Sequence, residues 1–240
     1  ELSDLLKGAA RELPPIDSNE FGAKFDTFGK SRLVLIGDGS HGTSEFYRAQ
    51  AAITKRLIEE HGFTHVAIES DWPDARVIDH YVRQHPQRSK EVPIRVFDHF
   101  PRWMWRNTEV QGFVDWLCEH NAALPMNQRM SFNGLDLYSM GASTRAVVES
   151  LDRVDPDLAQ AARKRYSCLE PWLSDPSEYG PNSTKCEPGV IKMLQQLLSN
   201  HLSLATSDGD VDGGGDGGGE SFLDAEVNAR TIRDSERYYR

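Results

Sequence analysis

An acidic residue and a histidine lie three positions apart in a glycine-rich stretch, at Asp38 and His41. A neutral histidine can take a proton from water, and a neighbouring carboxylate can orient its ring. This spacing indicates a general-base site for a reaction that needs activated water. The same two side chains could instead only cap the helix that follows, so the elements around them decide between the two interpretations.

The residues around this pair predict a strand, a tight turn and a helix. The apolar run at residues 33–36 is too short for a helix and is typical of a central parallel strand. Glycines then allow the chain to turn sharply. Apolar residues recur with helical spacing from about residue 44 to Gly62, where the helix should end. His41 would thus lie at the carboxyl end of a strand, where α/β sheets bind ligands.

Two further apolar runs also end in acids, at residues 64–71 and 129–136. The first of them follows the predicted helix at the spacing of a βαβ unit. If all three strands are parallel, their carboxyl ends meet at one sheet edge, and four polar side chains converge there: Asp38, His41, Glu69 and Asp136. We predict an α/β fold with a mainly parallel sheet flanked by helices, and with a helical insertion or lid.

Other polar and aromatic residues could line the same cleft. Arg48 lies one helical turn from Glu45, so it can pair with that carboxylate or reach over the first turn of the helix toward an anion. Trp105 and Arg106 precede a predicted helix and could form a stacking wall and an anion-facing guanidinium at a pocket mouth. Burial in the core is the ordinary interpretation for the tryptophans, Trp103 included.

Several motifs occur in a characteristic order between about residues 30 and 240. They are Gly37-Asp38-x-x-His41-Gly42-Thr43-x-Glu45-Phe46, Val66-Ala67-Ile68-Glu69, Trp103-Met104-Trp105-Arg106, Trp116-Leu117, Gly134-Leu135-Asp136 and Asp224-Ala225-Glu226-x-Asn228-Ala229-Arg230. In order and spacing this set resembles the erythromycin esterase-like family. The resemblance implies a hydrolase, since the best-known members of that family open the macrolactone ring of erythromycin-type antibiotics.

The resemblance also implies roles for individual residues. His41 would be the base that activates water, and Asp38 would be its orienting partner. Glu69, Arg48 and Glu45 match other polar positions of the family's cleft. From their positions in the sequence we expect Glu69 and Arg48 to be further catalytic residues and four others to contact the substrate: Glu45, Trp105, Arg106 and Asp136. The expected substrate is a small-molecule ester or macrolide, with no metal and no cofactor.

Two features depart from the family pattern. The acid three residues before the histidine is usually Glu in the family and is Asp38 here, which is one methylene shorter. Family members also continue past residue 240 and carry a second histidine-bearing segment. The chain is therefore expected to be the N-terminal part of a longer protein.

Two alternative functions remain open on the sequence. Asp38, His41, Glu69 and Asp136 offer ligand types that suit zinc, manganese or magnesium, as in a metal-dependent hydrolase. Only one of them is a histidine, whereas catalytic zinc usually has two or three. The other alternative is a non-catalytic binding or regulatory relic of the same fold, although such a relic has no chemical need for both the acid and the histidine.

The composition limits the partners and the location. A formal net charge of −10 over 240 residues disfavours nucleic acid and anionic membranes as partners. There is no long apolar stretch and no signal-type N-terminus, so a cytoplasmic location is expected. Cys118, Cys168 and Cys186 lack CxxC spacing and predict ordinary thiols in a reducing compartment. The sequence does not indicate an oligomeric state.

Composition and periodicity divide the chain into five segments. These are a lead-in at 1–30, the first part of an α/β core at 31–142, a helical insertion or lid at 143–206, a flexible acidic glycine-rich loop at 207–219 and a helix returning to the core at 220–240. Part of the loop, Asp208-x-Asp210-x-Asp212-Gly213, matches the start of an EF-hand calcium loop. The twelfth position is a glycine rather than an acid, so no calcium binding is predicted.

Overall fold

The computed structural model describes residues 2–86, 88, 90–91, 93–98, 102–182, 185–200 and 217–240, with 217–221 described by their backbone. The helices are α1 (Leu2–Ala9), α2 (Asn19–Ala23), α3 (Ser44–His61), α4 (Trp72–Val82), α5 (Arg102–Trp105), α6 (Thr108–Ala122), α7 (Met140–Val154), α8 (Pro156–Tyr166), α9 (Tyr179–Asn182), α10 (Glu187–Ser199) and α11 (Gly217–Tyr239). The strands are β1 (His65–Asp71) and β2 (Ser131–Asp136). Helices predominate in the described part of the chain, and none of them combines the length and the apolar composition needed to cross a bilayer.

The chain divides into two compact units. The first contains Glu1–Val66 and Val77–Phe132, and the second contains Ala67–Arg76 and Asn133–Arg240. Each unit has an apolar core of its own.

Helix α3 carries the central apolar contacts of the first unit. It begins at Ser44 and ends before Gly62, whose φ of +72° lies in the left-handed region. Glycine adopts this conformation without the steric cost of a Cβ, which explains why the helix ends there. Ile53 and Leu57 are buried in a cluster with Phe21. The helix predicted from about residue 44 to Gly62 is confirmed.

The strand predicted at residues 33–36 is wrong. The segment is not helical, and it pairs with no strand among the described residues. Val34 and Ile36 pack on the core of the first unit, whereas Leu33 and Leu35 are 72% and 85% exposed. Burial of alternate apolar residues on one side gives the residue pattern of a strand without a hydrogen-bonded neighbour. The sheet in the described part of the chain has two strands rather than three.

The other two strand predictions are confirmed by β1 and β2, which form a small parallel sheet. In the first unit, the Ser131 N–H donates to the Thr64 carbonyl at 3.0 Å. In the second unit, Gly134 lies so close to the end of β1 that an added Cβ would be 2.5 Å from the Ser70 carbonyl oxygen. Glycine is required at this position because no side chain fits there.

Buried polar side chains of the first unit hold the chain at the start of β2. The Asn121 amide of α6 donates to the carbonyls of Val82 and Met130 at 3.0 and 2.9 Å. Its oxygen accepts from the Met130 N–H at 2.7 Å. The buried Asp79 carboxylate accepts from the Phe132 N–H at 2.8 Å. These bonds satisfy buried backbone groups at the end of α4 and at the start of β2.

The second unit is built mainly on α7, α8, α10 and α11. Each of these helices contributes to one apolar core, for example through Val147, Leu158, Leu197 and Ile232. Between α7 and α8, the Asp155 side chain accepts from the N–H of Leu158 at 2.9 Å and caps the second helix. The segment predicted to be helical at residues 143–206 contains most of α7 and all of α8, α9 and α10.

Two cysteines of the second unit form a disulfide. It joins Cys168, just after α8, to Cys186, just before α10. The prediction of ordinary thiols is wrong at these two positions, while Cys118 is a free thiol. The two Cα atoms lie 5.7 Å apart, within the usual range for a disulfide, because the ends of α8 and α10 are neighbours in the fold.

The acidic glycine-rich segment falls almost entirely outside the described residues. Residues 201–216 are not among them, and residues 217–219 belong to the first turn of α11. The flexible loop predicted at 207–219 and the absence of calcium binding predicted for the Asp208–Gly213 motif remain predictions.

Candidate functional site

The Asp38–His41 turn, residues 37–43, precedes helix α3 in the first unit. The His41 Nδ1 atom lies 3.2 Å from Asp38 Oδ2. The Asp38 side chain is 14% exposed and the His41 side chain is 44% exposed, so the carboxylate is largely covered while the ring is open to solvent. A carboxylate in this position can accept the Nδ1 proton, which leaves Nε2 as the acceptor of the ring.

Gly42 and Tyr47 shape this turn. Gly42 has a φ of +83°, in the left-handed region that favours glycine. Its N–H donates to the Tyr47 hydroxyl at 3.3 Å. Burial raises the pKa of Tyr47; the Gly42 N–H opposes this rise, and the negative charges of Asp38 and Glu109 add to it. The phenol therefore stays protonated while it holds the residue that follows His41.

The start of α6 is tied to the same turn. The helix begins after Asn107, which caps it through its side chain, so the helix predicted to follow Arg106 is confirmed. Ser44, at the start of α3, donates from its hydroxyl to Glu109 Oε1 at 2.6 Å. The rings of Tyr47 and Trp105 meet edge to face, with centroids 6.2 Å apart. These contacts join two segments of the first unit that are far apart in the sequence.

Arg48 pairs with Asp17 rather than with Glu45. The ion pair with Asp17 is the main reason that the pKa of Arg48 is raised. Glu45 lies exposed in the first turn of α3. An arginine that already has a carboxylate partner attracts a further anion less strongly than a free one does, because the two charges partly cancel.

Of the two tryptophans in α5, Trp103 rather than Trp105 lies against Gly42 of the Asp38–His41 turn. A Cβ added to Gly42 would be 3.0 Å from the Trp103 ring. Trp103 is 52% exposed, so the expectation that it belongs to the core is wrong. The neighbouring Arg106 has its Nη1 atom 3.2 Å from Asp98 Oδ1, which holds the guanidinium beside α5.

Glu69 and Asp136 lie in the sheet of the second unit. Asp136 ends β2 and Glu69 lies two residues before the end of β1, so both are near the carboxyl ends of the parallel strands, as predicted. Burial raises the pKa of Asp136; the Leu137 N–H, which donates to it at 2.8 Å, opposes this rise, and the charges of Asp71 and Glu69 add to it. Asp38 belongs to the first unit and lies at no strand end among the described residues.

Sequence reasoning missed several residues around these positions. In the second unit, the buried carboxylate of Asp71 accepts from the Ser139 N–H at 2.9 Å. Asp71 ends β1 just as Asp136 ends β2, so its position at the end of an apolar run could have identified it from the sequence. In the first unit, the roles of Tyr47 and Glu109 depend on contacts with segments that are distant in the sequence, so the residues around them do not predict these roles.

Proton transfer at His41 is the chemistry that the first unit supports most directly. Within the described ranges, no three histidine, cysteine, aspartate or glutamate side chains are arranged to hold a metal ion. The Asp38–His41 contact brings together a carboxylate and an imidazole, which is the combination that general-base catalysis uses.

Comparison with known proteins identifies the family. The model of the erythromycin esterase family matches residues 58–240 of this chain. The chain belongs to the erythromycin esterase family. The match begins at residue 58, so the Asp38–His41 turn lies outside it.

Two curated relatives of this family member carry hydrolase names. An erythromycin esterase type II from Escherichia coli is 28% identical over 115 residues, which are 48% of this chain and 26% of that protein. A putative hydrolase, YbfO, from Bacillus subtilis (strain 168) is 23% identical over 194 residues, which are 78% of this chain and 41% of that protein. The chain thus spans less than half the length of these curated relatives.

Solved structures show that this member of the erythromycin esterase family shares its fold with larger proteins. A succinoglycan biosynthesis protein has a TM-score of 0.73 at 20% identity, with 99% of this chain and 56% of that chain covered. An erythromycin esterase mutant, EreC in its open conformation, has a TM-score of 0.65 at 15% identity, with 92% and 53% covered. At such identities the likeness shows the fold alone.

Proposed function

We propose that the full-length protein hydrolyses an ester or macrolactone of a small molecule with water that His41 activates. The observation that carries this proposal is the 3.2 Å contact between His41 Nδ1 and Asp38 Oδ2 in an imidazole that is open to solvent. Membership of the erythromycin esterase family supports ester hydrolysis as the reaction.

Each step of the proposed reaction uses His41 as the proton carrier. Its Nδ1–H donates to Asp38, and Nε2 takes a proton from water while the water oxygen attacks the carbonyl carbon of the ester. The tetrahedral intermediate then breaks its bond to the alcohol oxygen, which takes the proton back from Nε2. The products are the carboxylic acid and the alcohol, and for a macrolactone both groups stay on one opened molecule.

Other residues keep proposed roles in this function. Arg48 and Glu69 are proposed to assist catalysis. Glu45, Trp105, Arg106 and Asp136 are proposed to contact the substrate.

The test is hydrolysis by the full-length protein of erythromycin and of a panel of simple esters, followed by mass spectrometry. His41→Ala is expected to lower kcat/KM by about 10² to 10⁴-fold, the usual cost of losing a general base. Asp38→Asn should have a smaller effect, since it keeps the size of the side chain and removes its charge. His65→Ala, which changes another exposed histidine of the first unit, is the matched control and should keep wild-type activity.

Three results would overturn the proposal in different ways. Wild-type turnover by His41→Ala would remove His41 as the base. Activity that a chelator abolishes and a divalent ion restores would favour the metal-dependent hydrolase. A folded wild-type protein that hydrolyses none of the esters would favour the non-catalytic relic.

A further inference from the structure

Trp103 is unusually open for a tryptophan. Its side chain is 52% exposed, whereas that of the next residue, Met104, is 6% exposed. Tryptophan gains more than any other side chain from burial, because its ring presents the largest apolar surface. The exposed face of this indole can therefore gain from contact with an apolar ligand.

The position of the Trp103 ring is fixed by its surroundings. Its six-membered ring lies against the Gly42 backbone, since a Cβ on Gly42 would be 3.0 Å from Cζ3 and 3.2 Å from Cε3. The Asn107 side chain donates to the Trp103 carbonyl at 3.2 Å and to the Met104 carbonyl at 3.0 Å, which fastens the end of α5 to the start of α6. Arg102, at the start of α5, donates to the Asp98 carbonyl at 2.9 Å.

This position places an apolar surface beside the proposed base. Gly42 follows His41 directly in the chain, so the ring is in contact with the residue next to the imidazole. Both side chains are open to solvent, with exposures of 52% for Trp103 and 44% for His41. An ester that extends from His41 along the turn past Gly42 would meet the indole.

We propose that Trp103 is a specificity-determining residue that binds the apolar C–H face of a ring-containing ester, such as a macrolactone. This inference rests on the proposed function of His41 and adds the surface that selects the substrate. Burial of the indole face against a large apolar ring is favourable, whereas a small aliphatic ester covers little of it. Trp103 touches substrate in this proposal but takes no part in proton transfer.

The experiment compares two esters with the full-length protein. Erythromycin is the large ring ester, and ethyl acetate, followed by titration of the released acid, is the small one. Trp103→Ala is expected to raise KM for erythromycin about tenfold or more, the size expected from losing one aromatic contact. kcat for erythromycin and kcat/KM for ethyl acetate should change little. Trp103→Phe keeps an aromatic face and should restore most of the affinity.

Binding without turnover separates this inference from the proposed function. In a His41→Ala background, calorimetry with erythromycin should give a dissociation constant that Trp103→Ala weakens by about tenfold. Phe28→Ala, which removes a 49%-exposed aromatic side chain elsewhere in the first unit, is the matched control and should leave it unchanged. Thermal melts show whether each variant folds, and Trp103→Leu, which removes the aromatic face but keeps an apolar side chain, replaces Trp103→Ala if the latter does not.

The outcomes are distinct. Erythromycin binding that depends on Trp103 without any hydrolysis would refute the proposed function and keep the specificity role. Hydrolysis that depends on His41, with the same KM for erythromycin in wild type, Trp103→Ala and Trp103→Phe, would overturn the specificity role alone. A wild-type protein that neither binds nor hydrolyses erythromycin would overturn it as well.

Discussion

The Ser44 hydroxyl donates a 2.6 Å hydrogen bond to Glu109, a residue 65 positions later in the chain. Ser44 begins α3 and Glu109 lies in the first turn of α6, so one bond fixes the starts of two helices relative to each other. The Asp38–His41 turn directly precedes Ser44. The geometry of the proposed base thus depends on a carboxylate that is distant in sequence and takes no part in the chemistry.

Glu109→Gln should weaken the first unit by about 1 kcal/mol at pH 7, because the bond to Ser44 loses its charge-assisted character. The Ser44 hydroxyl is the main cause of the lowered pKa of Glu109. A lowered pKa means that the stabilisation is complete above the unfolded-state pKa and is lost as the pH falls through the folded-state pKa. Urea unfolding at pH 7 and pH 3 should therefore show a difference between wild type and variant that shrinks in acid. Glu119→Gln, on the exposed face of α6, should change little at either pH.

Gly42→Ala should destabilise the first unit by about 1 to 3 kcal/mol, the cost of a non-glycine residue in the left-handed region. The new methyl group would also press on the Trp103 ring, which lies 3.0 Å from its position. Gly37→Ala is the matched control, since an added Cβ there meets no atom within 4 Å. Its expected effect is within about 0.5 kcal/mol in the same thermal or urea unfolding experiment. Equal effects of the two substitutions would contradict the assigned role of Gly42.

Asp26→Asn should lower the melting temperature of the first unit at neutral pH. The Asp26 carboxylate accepts from Arg56 Nε and Nη2, both at 2.9 Å, and lies 2.8 Å from His61 Nε2. The Arg56 bond, followed by that of His61, holds the pKa of Asp26 well below its usual range. Its contribution is present above the unfolded-state pKa of about 3.9 and disappears only in stronger acid. Melts from pH 7 to pH 2 should show the deficit of the variant closing at the acid end.

The control for Asp26 is Glu60→Gln. Glu60 lies 3.4 Å from the same guanidinium of Arg56 but is 54% exposed. Exposed ion pairs contribute little to stability, so this variant should melt close to wild type. A larger loss for Glu60→Gln than for Asp26→Asn would show that the pairing around Arg56 is assigned wrongly.

Tyr179→Phe should destabilise the second unit by about 1 to 3 kcal/mol, whereas Tyr166→Phe should be close to neutral. Both rings are buried. The Tyr179 hydroxyl donates to the buried Glu236 carboxylate at 2.8 Å and accepts from the Cys186 N–H at 3.2 Å. Burial, followed by the Glu236 bond, raises the pKa of Tyr179 to about 12. The Tyr166 hydroxyl makes no hydrogen bond with the described residues, so its removal leaves no partner unsatisfied.

Denaturant unfolding of the two tyrosine variants measures this contrast directly. The two substitutions remove the same atom from rings that are 0% and 2% exposed, so a difference between them reports the hydrogen bonds rather than the change in volume. Similar losses in both variants would contradict the prediction.

Most helices of this fold can be predicted from the sequence, because the residues that begin and end them lie within or next to them. Gly62 ends α3 through its own backbone conformation. Asp155 caps α8 by accepting from the N–H of Leu158, which is only three residues away in the chain. The segment at residues 33–36 could not be predicted correctly from local features. Leu33 and Leu35 alternate with the partly buried Val34 and Ile36 just as strand residues do, and only the rest of the fold determines whether a hydrogen-bonded partner exists.

In the candidate site, too, contacts between residues close in the sequence could be predicted, and contacts between distant segments could not. The contact between Asp38 and His41 spans three residues, so their spacing alone could suggest it. The contacts of Trp103 with Gly42 and of Glu109 with Ser44 span more than 60 residues, and nothing in either segment points to the other. The disulfide between Cys168 and Cys186 was missed for the same reason, since the packing of α8 and α10 brings the two thiols together.

The exposed leucines at residues 33–36 have a consequence for the colloidal behaviour of the chain. Leu33 and Leu35 face water from a segment whose backbone is paired with no described strand, and exposed apolar side chains beside unpaired backbone groups favour association between chains. The net charge of −10 repels other copies, and salt screens that repulsion. Precipitation of the 240-residue chain should therefore increase with ionic strength. A lysine at position 33 or 35 should suppress it, as charged residues do on natural sheet edges.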